Sequence, residues 1–309
     1  MNKPKTATPN SNFLHIILFS ASEKRLRAGW RLAIHTIFLL FLTLLSGIVI
    51  FIPIGLLKIN FDSPLVVLAS EIALLFSITI TTFLARHFLD KRSLTSLGLK
   101  PGFQALIDIV AGIIITFFQM GLIFLVELSQ GWLKFEGFAW KTQSTAEIAA
   151  GLGVWLLIFI LVGWQEELLS RGYHLQTITS GSNLFWGVLI SSSVFGILHI
   201  LNYGATLYST LGIFMAGLFL ALPYILTKRL WLSIGLHIGW NFFEGVVFGF
   251  SVSGLETFRL LQHTVNGPEI WTGGVFGPEA GLIVIPSLLL GSLLVFGYTR
   301  LKIHKPDLN

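Results

Sequence analysis

A chain of 309 residues with 54% hydrophobic and only 11% charged side chains lies far outside the soluble class, where about a quarter of residues are charged. Its net charge of +5 comes from short runs between apolar stretches, without the basic stripe or recognition motif of a nucleic-acid binder. The absence of cysteine excludes disulfides, thiolate metal sites and cysteine nucleophiles, and leaves the redox compartment unread.

Residues 1–12 are polar, with Lys3, Lys5 and two prolines, and no fixed structure is expected of them. Residues 13–19 are apolar but too short to span, and residues 23–31 are basic. The pair reads as a segment lying at the membrane interface. Basic residues after the apolar run, and no small-residue cleavage site, argue against a cleaved signal peptide.

A spanning helix needs about 20 mostly apolar residues. Eight stretches qualify: 30–57, 64–87, 105–130, 147–176, 184–203, 208–226, 230–250 and 280–301. Pro53, Pro223 and Pro286 fall near helix ends or where neighbours in a bundle can absorb them. The expected class is therefore all-α, a polytopic membrane protein. Residues 1–29 form a cytoplasmic or interfacial segment, 30–301 a single helical domain and 302–309 a cytoplasmic tail. With the N-terminus inside, alternate connections put 15 Lys and Arg on the cytoplasmic side and four on the other. That asymmetry follows the positive-inside rule and places both ends of the chain in the cytoplasm. The outer connection 251–279, rich in glycine, is expected to be irregular or partly re-entrant.

The fourth stretch carries Trp164-Gln165-Glu166-Glu167-Leu168-Leu169-Ser170-Arg171-Gly172 at the end of a charge-free run. Ionisable groups at membrane depth are costly and mark functional sites. On a helix Glu167 and Arg171 share a face, whereas Glu166 points about 100° away. Glu167 is thus expected to hold Arg171 in a buried pair while Glu166 faces a wet cavity. Two later segments supply partners: Phe195 with His199, and His237 with Asn241. Counting from the short turn near residues 179–183, Glu166 and His199 lie at similar depths, roughly 20 and 24 Å at 1.5 Å per residue.

A carboxylate beside two imidazoles can activate water, with Glu166 as base and His199 holding the water. His237 and Asn241 could donate to the oxygen that becomes negative as water attacks a carbonyl. The alternative is that Glu166, His199 and His237 ligate zinc, since two His and one carboxylate form a catalytic set. The spacing His-Glu-x-x-His is absent. Phe195 is expected to pack, Glu71 and Asp108 to make structural hydrogen bonds, and His35 to sit at the interface. His263 is placed in the outer connection, away from the site. Glu244 is left between lining the site and bonding the outer connection.

These motifs resemble those of the intramembrane CAAX proteases and bacteriocin-processing enzymes, which include type II CAAX prenyl endopeptidases and bacterial abortive-infection proteins. The pattern Glu-Glu-x-x-x-Arg, Phe-x-x-x-His, His-x-x-x-Asn recurs here as Glu166, Glu167 and Arg171, then Phe195 and His199, then His237 and Asn241. Ser96-Leu97-Gly98-Leu99 before the third stretch adds to the likeness. The resemblance implies that 30–301 is an intramembrane protease domain with its motif core at 147–250. It also implies a site open to the cytoplasm that cleaves peptide bonds near the membrane. Glu166 would be the base and His199 its aid, and His237 and Asn241 would form the oxyanion hole. A metal-free glutamate mechanism is favoured over zinc. The expected partners are a peptide or membrane-protein substrate and the lipid bilayer, and the expected location is the bacterial inner membrane. A catalytically silent scaffold or immunity protein, or a small-solute transporter using the same polar cavity, are the competing readings. The lack of an inverted repeat counts against the transporter.

Overall fold

In the computed structural model, the residues described are 13–20, 23–61 and 63–303. The expected unstructured segment 1–12 and residues 304–309 of the tail lie outside them. The chain builds eight rods: α1 (Ala28–Leu56), α2 (Pro64–Leu84), α3 (Phe103–Ser129), α4 (Thr145–Glu167), α5 (Leu184–Leu198), α6 (Leu207–Thr227), α7 (Trp231–Asn241) and α8 (Val284–Ile303). The protein is an all-α, multi-pass integral membrane protein.

Local chemistry starts these helices. Ser144 and Glu147 close a capping box on α4, Thr206 and Ser209 one on α6, and the Asn183 side chain accepts from Trp186 N at the start of α5. Such caps satisfy amide donors that a helix cannot pair internally.

Seven helices, not eight, are long and apolar enough to cross a membrane among the described residues. The exception is the stretch expected at 230–250. It forms α7 and a following π segment, Phe242–Val247, about 26 Å of helix at 1.5 Å per residue. Every residue of α7 after Trp231 is buried. This helix is walled by protein and need not match the bilayer.

Small residues permit that burial. A Cβ on Gly235 would overlap the Ile109 carbonyl of α3, and one on Gly112 would overlap the backbone of Gly235 and Leu236. Backbones approach this closely in membranes only where side chains are small. We expect Gly235→Ala to part α3 from α7 and cost about 1–3 kcal/mol by overpacking. Thermal unfolding in detergent reads the loss, with Gly29→Ala as control, because nothing lies within 4 Å of a Cβ there.

The two faces of the bundle differ. On one, Asp90 is buried between Arg31 and Arg86, and Arg86 also reaches the Ser96 carbonyl and Gln176 at 2.9 Å each. The short helix Phe13–Leu18 lies against this basic face, its backbone held by Arg27 and Trp30. On the opposite face, the strand β1 (Leu133–Phe138) pairs antiparallel with β2 (Leu261–Val265). The outer connection is therefore more ordered than its glycine content suggested. Its irregular parts bend where Gly254, Gly273 and Gly277 take positive φ. His263 is buried in the sheet and donates from Nε2 to the Phe248 carbonyl at 2.8 Å, tying the sheet to the end of the α7 rod. Burial holds its pKa below the ordinary histidine value.

His35, expected at the interface, is instead buried, beside Thr82 and with its ring tilted against that of Tyr173 at 4.3 Å between centroids. The helix α1 packs Arg31 and His35 inward and leaves most of its apolar residues exposed.

Candidate active site

The two carboxylates fall where α4 changes its winding. The helix runs through Glu167 and becomes a π segment, Leu168–His174, before a last α-helical stretch, Leu175–Gly181. The α7 rod does the same directly after Asn241. Wide turns of this kind are rare and concentrate at functional sites. Here one begins within the first motif, directly after Glu167, and one directly after the last, while a third, Ala85–Leu89, lies outside the motifs.

Glu167 is fully buried. Its Oε1 accepts from Arg171 Nη1 at 2.8 Å and from His237 Nδ1 at 2.8 Å. Arg171 also donates to the Gly217 carbonyl at 3.0 Å, and its guanidinium lies 4.4 Å over the Phe195 ring. The expected buried pair thus exists and has a third member, His237. Phe195 packs, as its apolar character suggested, but against the cation and both imidazole rings.

Glu166 turns the other way. It lines a cavity of about 510 Å³ together with Ser170, Phe195, His199, His237 and Asn241. Its Oε2 stands 3.9 Å from His199 Nε2 and 3.7 Å from His237 Nε2. These gaps exceed a direct hydrogen bond and suit an intervening water.

The tautomers follow from the partners. His199 Nδ1 lies 2.8 Å from the Phe195 carbonyl, which can only accept, so Nδ1 carries the proton. His237 Nδ1 likewise donates to Glu167. With Nδ1 so committed, Nε2 of each ring is the nitrogen that faces Glu166. A ring whose far nitrogen is fixed by a carbonyl or carboxylate is also how metal-binding histidines are oriented. The donor types Glu166, His199 and His237 would suit zinc. Among the described residues no three His, Cys, Asp or Glu side chains form a ready-made cluster for a metal ion.

Residues 148–243, which hold all these side chains, match the family of Rce1-like proteins, described as "Type II CAAX prenyl endopeptidase Rce1-like". This segment is thus similar to that family. A Bacillus subtilis (strain 168) protein named "Putative membrane peptidase YdiL" is 27% identical over 169 residues. The alignment covers 54% of this chain and 64% of that protein, so the chain spans under two thirds of its relative.

Several residues around this segment were not legible in the motifs. Glu279, Ser253 and Leu255 come from the outer connection and line the same cavity. Glu279 Oε1 accepts from Trp240 Nε1 at 3.0 Å, and its Oε2 accepts from the Ser253 hydroxyl. The one signal for Glu279 was a carboxylate beside an apolar stretch. Glu71 of α2 makes the structural hydrogen bond expected of it, from Gln165 Nε2, but it also lines the cavity. Asp108 pairs with Arg229 at 3.2 Å and with Tyr298 at 2.7 Å, away from the cavity. Glu244 is buried beneath the outer connection, with Oε1 3.6 Å from where a Gly277 Cβ would stand, and does not line the cavity.

Proposed function

We propose that this chain is an intramembrane endopeptidase that cleaves peptides or membrane-protein segments with water activated by Glu166. One observation carries the reading: a single carboxylate oxygen stands 3.9 and 3.7 Å from two imidazole Nε2 atoms in one cavity walled by helices. Water between them donates one proton to Glu166 and its other to His199 Nε2. An oxygen lone pair is then left for the substrate carbonyl carbon. As the C–O bond forms, the carbonyl π electrons move to its oxygen and Glu166 takes the water proton. The Asn241 amide lines the same wall and donates to that oxygen. His237 joins it when Nε2 is also protonated, as an imidazolium held between Glu166 and Glu167. Collapse breaks the C–N bond, with Glu166 returning its proton to the leaving amine. A thiol nucleophile is impossible in a chain without cysteine.

Arg171 and Glu167 act at one remove. They fix His237 and the α4 turn, so they are positioning residues. No step runs through a metal. The proposed location is the bacterial inner membrane.

The test is peptide cleavage by purified protein in detergent, read by mass spectrometry on a library of membrane-active peptides, with and without a zinc chelator. We expect cleavage that survives chelation. Loss on chelation with recovery on added zinc would overturn the metal-free mechanism and give His199, His237 and Glu166 to the ion. No cleavage by the wild type, with a cellular phenotype that Glu166→Gln leaves intact, would favour the silent scaffold or immunity protein. Proton-coupled solute flux in vesicles would favour the transporter.

A further inference from the structure

We propose that Glu279 is a positioning residue of this site, its carboxylate closing a hydrogen-bonded bridge across the cavity from the turn that carries His199 to the helix that carries Asn241. Its effect on cleavage rests on the peptidase reading. The bridge itself does not.

The bridge can be followed bond by bond. After α5 the chain makes one 3₁₀ turn, His199–Leu201, and the His199 carbonyl accepts from Asn202 N at 3.1 Å. Asn202 Nδ2 donates to the Ser253 carbonyl at 3.0 Å. The Ser253 hydroxyl donates to Glu279 Oε2, and Trp240 Nε1 donates to Glu279 Oε1 at 3.0 Å. Trp240 directly precedes Asn241 on α7. Asn202, Ser253, Glu279 and Trp240 all line the cavity, as His199 and Asn241 do.

The backbone around the bridge has little freedom. A Cβ on Gly254, at φ +85, would overlap the Tyr203 carbonyl, and one on Gly277, at φ +107, would overlap the Ser251 carbonyl. Gly254 N donates to the Phe276 carbonyl at 2.8 Å. A Cβ on Gly212 of α6 would overlap the carbonyl of Glu279 itself. Three irregular segments therefore meet by direct backbone contact. The carboxylate of Glu279 ties them to α7 beside Asn241.

The two cavity glutamates differ in what their oxygens do. An ionised carboxylate can only accept. Glu279 is 5% exposed and uses both oxygens on protein donors. Glu166 Oε2 has no hydrogen-bond partner among the described residues. Glu166 is thus free to take a proton, whereas Glu279 holds its neighbours in place. What it holds matters to the proposed reaction, because His199 orients the water and Asn241 receives the oxyanion. A misplacement of about 1 Å between such groups can cost about 100-fold in rate.

The test compares Glu279→Ala with Glu279→Gln in the peptide cleavage assay and by hydrogen exchange in detergent. We expect Glu279→Ala to lower kcat by about 10–100-fold with KM within about threefold, since alignment and not binding is lost. Glu279→Gln should return kcat to within about fivefold of the wild type. Its amide oxygen can accept from Trp240 and its amide nitrogen can donate to the Ser253 hydroxyl. Ser253→Ala should show part of the same loss and add nothing in the Glu279→Ala background. It also serves alone if Glu279→Ala does not fold. Amides in 199–206 and 251–256 should exchange at least about tenfold faster in Glu279→Ala, with the capped start of α4 unchanged.

A Glu279→Ala protein with kcat within about twofold of the wild type overturns the positioning role. Glu279→Gln as slow as Glu279→Ala overturns it too, because the effect would then belong to the charge and not to the bonds. Exchange needs no catalysis. If the wild type cuts nothing, the peptidase reading fails, while faster exchange in the two segments would still uphold the bridge and unchanged exchange would end it.

Discussion

Replacing Glu166 by Gln lowers peptide cleavage by about 10²–10⁴-fold, the range that a positioned general base contributes, and leaves the protein folded. The substitution keeps the size of the side chain and removes only its ability to take a proton. Folding should tolerate it, because Glu166 Oε2 has no hydrogen-bond partner among the described residues and the side chain is 29% exposed to the cavity. Initial rates on one library substrate, beside thermal unfolding of the same preparation, check both halves. A variant that cleaves within twofold of the wild type would remove Glu166 from the mechanism.

Removing Arg171 has the larger structural effect. In Arg171→Ala, Glu167 keeps only its bond to His237, and the Gly217 carbonyl loses its donor. The guanidinium also leaves the face of Phe195. Breaking a buried pair from one side strands the other charge and costs about 3–5 kcal/mol. We therefore expect a clear drop in unfolding stability in detergent, with activity falling because His237 and the π segment of α4 are no longer held. Replacing both partners at once, as Glu167→Gln with Arg171→Met, should recover part of the stability but not the activity, since no charge is then left unpaired. An Arg171→Ala protein as stable as the wild type would show the pair to be ornamental.

Much of the site could be read from residue order because helices impose fixed geometry. Four-residue spacing put Glu167 with Arg171 and His237 with Asn241 before any packing was known, and single-residue spacing turned Glu166 away from Glu167. What spacing could not supply was the hydrogen bond from His237 to Glu167, which crosses between helices and fixes which imidazole nitrogen is free. Nor could it supply the π segments after Glu167 and Asn241, since no residue in Leu168-Leu169-Ser170 or Phe242-Phe243 demands a wider turn.

The span count shows the same division. Hydropathy located all eight rods, but it could not tell that 230–250 would be enclosed by the others. An apolar residue reads alike whether it meets lipid or protein. Only the close backbone approach of Gly112 and Gly235 reveals that α7 is enclosed. His35 was misplaced for a related reason: nothing along α1 tells which face meets Tyr173 rather than the headgroups.

The sequence by itself determined that this is a multi-pass helical membrane protein, because the bilayer requires long apolar helices and makes each intramembrane charge conspicuous. It also singled out the charged residues within the apolar stretches and the bias of basic residues to alternate connections. Tertiary structure alone decided that Glu279, Ser253 and Leu255, far along the chain and carrying no motif, close over those residues. Contacts between distant segments depend on packing, and local order along a chain does not encode them.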